Sequence, residues 1–410
     1  MAMRWFAIMG PQLASIAAIL LTTLIFLVGN GLLQTLIPVR AHIEGFSTLA
    51  IGLIGSAYFA GFVAGCFIGP RWLARVGHIR TFSVCAGICA AATLLQPVWV
   101  SVTGWVLLRG VFGMAAAAIY MTLESWLNDR ARNETRGAIF AAYLAVNFGG
   151  LIIGQLLTAT SRPESFVLFT LAAVFYALCL LPLGLTDLPQ PAPAPVARLR
   201  PLQLFRASPV GVAGCIAVGL ANAAVWTLAP VYARTQGLSS GNVALFMVAF
   251  TLGGMLVQFP AGRLSDRVDR RWVIVATCLL AAAAGILIAL FGSRDRTVLL
   301  ATIFGFGVLM LPLYGLMAAH TNDRVPRQSY VEISATLLLI NSFAAVMGPT
   351  FAATAMQRFG SQALFFFTAA VHLALAVFTL VRLRQSGPPA AHEPFTLQPP
   401  QPSVLDRDPV

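Results

Sequence analysis

A guanidinium inside an apolar run is costly to keep, and this sequence keeps one: Arg109, which lies 11 residues after Val98 in the stretch 98–122. At about 1.5 Å per helical residue this places it roughly 16 Å into the run, near the middle. A charge at that depth needs water, a carbonyl, a carboxylate or a ligand beside it. It suits holding an anionic or carbonyl-bearing group, or tuning a nearby proton site; a structural bond between helices is the competing use. Asn30, Gln34, Asn147, Asn222, Trp226, Tyr314 and Asn341, with Tyr58, also interrupt apolar runs. The amides can bond a solute or a neighbouring helix. The rings can stack on a ring-shaped solute or simply pack. Glu124, at the cytoplasmic end of the fourth span just past its apolar run, is the one acid assigned to the first six spans, and Glu332 opens the eleventh. Each is read first as partner to a loop arginine and second as a proton carrier. No metal-type spacing, nucleophile with a base, or phosphate-cradling loop is found, so no metal, cofactor or enzymatic activity is expected.

The elements that must hold these residues are membrane helices. The 410 residues are 58% hydrophobic and 10% charged, with mean hydropathy +0.83, more apolar surface than a water-soluble fold can hide. Twelve runs are long enough to span a bilayer: 13–37, 49–69, 81–97, 98–122, 137–160, 165–185, 209–231, 241–261, 272–292, 297–319, 331–356 and 361–383. The first is read as an uncleaved span. The net charge is +12 and every cation is arginine. The arginines cluster between the runs, which argues for topology rather than nucleic-acid binding. With the N-terminus in the cytoplasm, 19 arginines fall inside, 6 outside, and Arg109 within a span. Both termini are therefore expected to be cytoplasmic. Six cysteines lie in apolar runs and read as small core residues. Segment 186–208 is Pro-rich and expected to be an extended linker, between bundles at 1–185 and 209–384. Residues 385–410 are expected to be a disordered cytoplasmic tail.

The chain also repeats. Asn30, Thr35, Leu36, Pro38, Gly45 and Ser47 return 192 residues later as Asn222, Thr227, Leu228, Pro230, Gly237 and Ser239. Phe112, Gly113, Tyr120, Asn128 and Asp129 return after 194 as Phe306, Gly307, Tyr314, Asn322 and Asp323, and Asn147 as Asn341. Two halves built on one plan are a common transporter device. The match is not total: Arg109 answers to Ile303, and Gln34 to Trp226, which suits an asymmetric ligand.

Between the eighth and ninth runs stands Gly262-Arg263-Leu264-Ser265-Asp266-Arg267-Val268-Asp269-Arg270-Arg271. It resembles the loop signature of the major facilitator superfamily, G-x-x-x-D-R-x-G-R-R, with Asp269 in place of the usual glycine. Gly262 is expected to allow a tight turn, and Asp266 to pair with arginine. The resemblance implies a latch on the cytoplasmic side, with Arg267 and Arg270 as further members. The first-half copy, Gly69 to His78, keeps Arg75 and Gly77 but has Ala74 where the acid is expected. Arg109-x-x-x-Gly113 and Glu134-Thr135-Arg136-Gly137 are similar to two further motifs of that superfamily. The run Glu124-Ser125-Trp126-Leu127-Asn128, with Asn147, Gly154-Gln155 and Gly348-Pro349, resembles a bacterial branch, the YcaD-like transporters. The resemblance implies an all-α membrane fold of twelve helices in two pseudo-symmetric bundles. It also implies a central cavity lined by spans 1, 4, 7 and 10, and alternating access in a bacterial inner membrane. A monomeric secondary transporter for a small organic solute is the leading expectation, with proton coupling open. Drug–proton efflux, uptake of a vitamin-like ring compound such as a flavin, and a non-transporting membrane sensor are the alternatives.

Overall fold

The computed structural model describes residues 2–131, 135–186, 191, 201–292, 295–325 and 330–385. The helices are α1 (Ala2–Ile43), α2 (Thr48–Val76), α3 (His78–Leu95), α4 (Val102–Arg130), α5 (Arg136–Leu157), α6 (Val167–Leu178), α7 (Leu180–Gly184) and α8 (Pro201–Ala207) in the first part of the chain. They continue with α9 (Pro209–Thr235), α10 (Ser240–Arg267), α11 (Arg270–Phe291), α12 (Arg296–Met310), α13 (Leu313–Asn322), α14 (Tyr330–Phe359) and α15 (Ala363–Gln385). Among the described residues, twelve stretches are long and apolar enough to cross a membrane; α6 with α7, and α12 with α13, each make one. An even number of crossings puts the start of α1 and the end of α15 on one side, here the terminus side. The opposite side is distal.

The two halves use the same local devices, which is how the sequence repeat becomes a structural one. At the distal end of α1, Gly45 takes φ 76°, Gly45 N–H bonds His42 O at 3.2 Å and Phe46 N–H bonds Ala41 O at 3.0 Å. At the distal end of α9, Gly237 takes φ 81° with the matching bonds to Arg234 O at 2.9 Å and Ala233 O at 3.2 Å. This is the left-handed helix stop that glycine alone enters without strain. Ser47 and Ser239 then cap α2 and α10 by accepting from Ala50 N–H and Asn242 N–H. Farther in, a Cβ on Gly113 of α4 would fall 2.0 Å from Tyr58 O of α2. One on Gly307 of α12 would fall 2.1 Å from Phe250 O of α10. Glycine at these paired sites lets the helix backbones meet, the main route to tight packing where water drives nothing.

Two expectations are corrected here. The fourth span starts at Val102, not near residue 98, because the Trp105 indole donates to Gln96 O at 2.8 Å and Ser101 caps α4. That moves the turn into residues 96–101. The linker was expected to be extended throughout, yet Pro201–Ala207 is helical, with proline at its first residue where its missing N–H costs nothing. The remainder, 187–190 and 192–200, lies outside the described residues, as does the tail from 386.

Candidate functional site

The shift of α4 changes the depth of Arg109. It sits seven residues after Val102, about 10 Å from the distal end of its helix at about 1.5 Å per residue, not at the centre. There it borders a small pocket between α1, α2 and α4 of the first half and α9 of the second. Gln34, Tyr58, Phe59, Trp226 and Thr227 share its wall, with Leu33, Ile37, Ile51 and Ile54 as apolar lining.

Arg109 is 8% exposed, its Nη1 has no hydrogen-bond partner, and it joins no ion pair among the described residues. What it has is aromatic: its Cζ lies 4.7 Å from the Tyr58 ring centroid and 4.9 Å from that of Phe112. A desolvated cation–π contact returns about 2 kcal/mol. An arginine at the centre of a membrane helix costs about 2.5–3.5 kcal/mol on insertion scales, and less toward the helix end. The rings therefore orient the guanidinium and offset part of its burial, while its hydrogen-bonding capacity stays unspent. Gln34 Oε1 is likewise unpartnered. Trp226 packs edge-on against Phe250, ring centroids 5.1 Å apart.

The structure therefore brings Arg109, Gln34, Tyr58 and Trp226 together and adds Phe59 and Thr227. It separates the matched asparagines into two kinds. Asn30 donates from Nδ2 to Tyr120 Oη at 2.9 Å and accepts from Tyr176 Oη at 3.4 Å, a bond set internal to the first half. Asn147 donates to Tyr143 O at 2.7 Å, one turn back on its own helix. Their images Asn222 and Asn341 each keep a buried Oδ1 with no partner. Asn222 lies one turn before Trp226 on α9. Tyr314 is 4% exposed, packs in a separate core of the second half, and is not part of the cavity wall.

Glu124 overturns its first reading. It is fully buried, none of the described ion pairs includes it, and it accepts only from Tyr143 Oη at 3.3 Å, with Oε2 unpartnered. Glu332 is half-buried in the first turn of α14, and its backbone carbonyl accepts from Thr336 Oγ1 at 2.7 Å.

The charged loop is built around Arg270, the first residue of α11 and only 1% exposed. It reaches Asp266 Oδ1 at 2.8 Å, Asp323 Oδ2 at 2.8 Å and Ser265 Oγ at 2.9 Å, joining α10, α11 and the end of α13. Arg271 grips Asp269 through Nε and Nη2 at 3.1 and 2.7 Å. Burial pushes the Asp269 carboxyl up, but these bonds outweigh it, and the carboxyl is held below its ordinary value. Gly262 makes no turn: α10 runs through it to Arg267, and its carbonyl accepts from Ser265 Oγ at 2.8 Å. Arg267 and Arg75 are exposed and outside this cluster. Glu134 of the similar fifth-span motif lies outside the described residues. Sequence reading missed Asp323, although the repeated Asn-Asp-Arg at 128–130 and 322–324 pointed to it.

The halves are tied to each other by Ser56 Oγ with Thr350 Oγ1 at 2.7 Å, between α2 and α14, and by Gln155 Nε2 to Thr251 Oγ1 at 2.9 Å, between α5 and α10. Two pseudo-symmetric six-span bundles meeting around a largely apolar cavity that holds a buried arginine describe a membrane transporter. The Major Facilitator Superfamily model matches residues 19–243 and 211–405, and the chain belongs to that superfamily. The MFS-type transporter YcaD of Escherichia fergusonii is 27% identical over 387 residues, 93% of this chain and 98% of that protein. Among solved structures, a point mutant of the nucleoside transporter NupG superposes with a TM-score of 0.76 at 12% identity, covering 90% of this chain and 100% of that one. A bacterial homologue of the human lysosomal transporter Spinster, inward-facing and occupied, gives 0.74 at 16% identity, covering 90% of this chain and 96% of that one. These two likenesses concern the fold.

Proposed function

We propose that this chain is a secondary transporter that moves a small organic anion through the cavity at Arg109 by alternating access. The observation that carries the reading is the unspent guanidinium. It is buried, oriented by two rings, and aimed into a cavity with no protein carboxylate to meet it. A carboxylate supplies the missing charge and can accept two parallel bonds from arginine. The Gln34 amide offers a further polar contact, and Trp226 with the apolar lining suits a ring or compact apolar body.

The arginine asymmetry supports a cytoplasmic terminus side, in keeping with a transporter of a bacterial inner membrane. The Ser56–Thr350 and Gln155–Thr251 bonds must break for the halves to part on the distal side. Rocking of one bundle against the other about the cavity then exposes it alternately. The Arg270 corner ties α10, α11 and α13 together, so the second half moves as one body.

Thermal-shift screening of purified protein against small metabolites tests this reading. Stabilising hits should be carboxylates, and Arg109→Ala should lose them while keeping its unliganded melting temperature. Hits that are cations or neutral solutes, unaffected by Arg109→Ala, would contradict it.

A further inference from the structure

Arg109 is not the only unsatisfied ionisable group on α4. Residues 109, 113, 116, 120 and 124 follow one another by three or four along the helix, so Arg109 and Glu124 share a face. Fifteen residues separate them, about 22 Å at about 1.5 Å per residue. Glu124 lies six residues before Arg130, about 9 Å from the terminus-side end of α4. Tyr314 of the second half lies near enough to feel its charge.

The surroundings of Glu124 are hydroxyls and amides, with no cation in bonding reach among the described residues. Tyr120 lies one turn back on α4, and α5 supplies Tyr143 and Asn147. From α13 comes Tyr314. Toward α3 the adjacent Ser125 is taken by His78 Nε2 at 2.9 Å. On α2, Cys66 is a thiol, and Arg71 and Arg75 are exposed. An ionised carboxylate held there by one hydrogen bond of 3.3 Å would leave Oε2 bare at membrane depth. That is costly, whereas the protonated acid carries no charge to desolvate. The duplicated scaffold does not require an acid at this position, because its image is Ala318. From Tyr120 a bonded file continues through Asn30 to Tyr176, whose ring packs on Phe112 at 5.4 Å, beneath Arg109.

We propose that Glu124 is the proton-binding site of a proton-coupled cycle, in which one proton is carried with each solute anion. The inference rests on the anion reading of the Arg109 cavity. The carboxyl holds its proton while the halves are closed around it. It loses the proton when the terminus side parts and water reaches Oε1 and Oε2. With the anion gone, the deprotonated carrier recloses slowly, opens on the distal side and takes its next proton there together with the next anion. One anion and one proton together move no net charge.

Infrared pH titration of the purified, unliganded full chain tests the proton site without any solute. A protonated-carboxyl band is expected at neutral pH. It should be absent from Glu124→Gln, retained in Glu332→Gln and retained with a shift in Glu124→Asp. No such band in the wild type, or a band unchanged in Glu124→Gln, overturns the proposal. Maleimide labelling of a cysteine introduced in the terminus-side cleft, measured above the background from the six native cysteines, tests the coupling. With one linked proton, opening should rise with pH by up to about tenfold per pH unit, and Glu124→Gln should abolish this slope. A slope that survives Glu124→Gln overturns coupling through this residue. If carboxylates fail to bind while the band and the slope behave as expected, the fault lies in the solute reading and not in the proton site.

Discussion

The two halves share a scaffold and divide the chemistry. On α4 the first half has Arg109 and Glu124; at the matched places α12 and α13 have Ile303 and Ala318. At the corner between the second and third spans of each half the roles reverse. There the second half has the buried Arg270 between Asp266 and Asp323, while the first half has His78 bonded to Ser125 and packed 5.4 Å from Trp126. His78 and Arg270 are each the first residue of their helix, 192 positions apart. Gly77 enters α3 at φ 81°, where Asp269 enters α11 at φ −57° and caps it. What is common to both halves, the glycine stops and the close helix crossings, is therefore scaffold. What differs is the material for recognition, coupling and stiffening.

The strongest way to break this comparison is to force symmetry on it. Ile303 is fully buried, so Ile303→Arg should cost about 3 kcal/mol or more, and folded protein should be lost from detergent extracts. Normal yield of monodisperse Ile303→Arg would show that charge at this level is cheap and needs no function. The corners come next. Arg270→Gln strands the fully buried Asp323 carboxylate and should cost about 3–5 kcal/mol. His78→Ala removes one neutral bond worth about 1 kcal/mol. Thermal unfolding in detergent should rank them in that order; equal losses would mean that the corners are equivalent.

The paired asparagines sharpen the same contrast at a smaller scale. Asn30→Ala leaves the Tyr120 hydroxyl unbonded and should cost about 1–3 kcal/mol of stability. Asn222→Ala should change stability by less than about 0.5 kcal/mol and act on transport or binding instead. The smallest effect concerns Asp269. Its carboxyl is held below the ordinary value, so its ion pair contributes above the unfolded pKa and is lost as pH falls through the folded one. Below about pH 3.8 the wild type should lose this increment, and Asp269→Asn should flatten that limb. The difference should stay under about 1 kcal/mol for a partly exposed pair.

The fold was legible because its signals are periodic and additive: twelve apolar runs, arginines gathered between them, and a repeat whose glycines and serines recur as helix stops and caps. Arg109 was legible by charge alone, but its depth was misjudged, since a turn made by Gln96 and Trp105 looks apolar in sequence. The partners of Glu124 and of Arg270 were not legible. Tyr143 lies 19 residues from Glu124 and Asp323 lies 53 from Arg270, and only the packing of helices decides that one acid meets a cation and the other does not. For the same reason Asn30 and Asn222 looked alike until the tyrosines around Asn30 were placed.

Binding of a ring carboxylate and its matching carboxamide to wild type, Arg109→Lys and Arg109→Ala, measured calorimetrically at one pH, tests the central claim most directly. The account predicts that the wild type prefers the carboxylate over the carboxamide by at least about tenfold, about 1.4 kcal/mol. Arg109→Lys should lose most of that preference with the planar fork, and Arg109→Ala all of it. Equal affinity for acid and amide in the wild type, or an acid preference that survives Arg109→Ala, would contradict it.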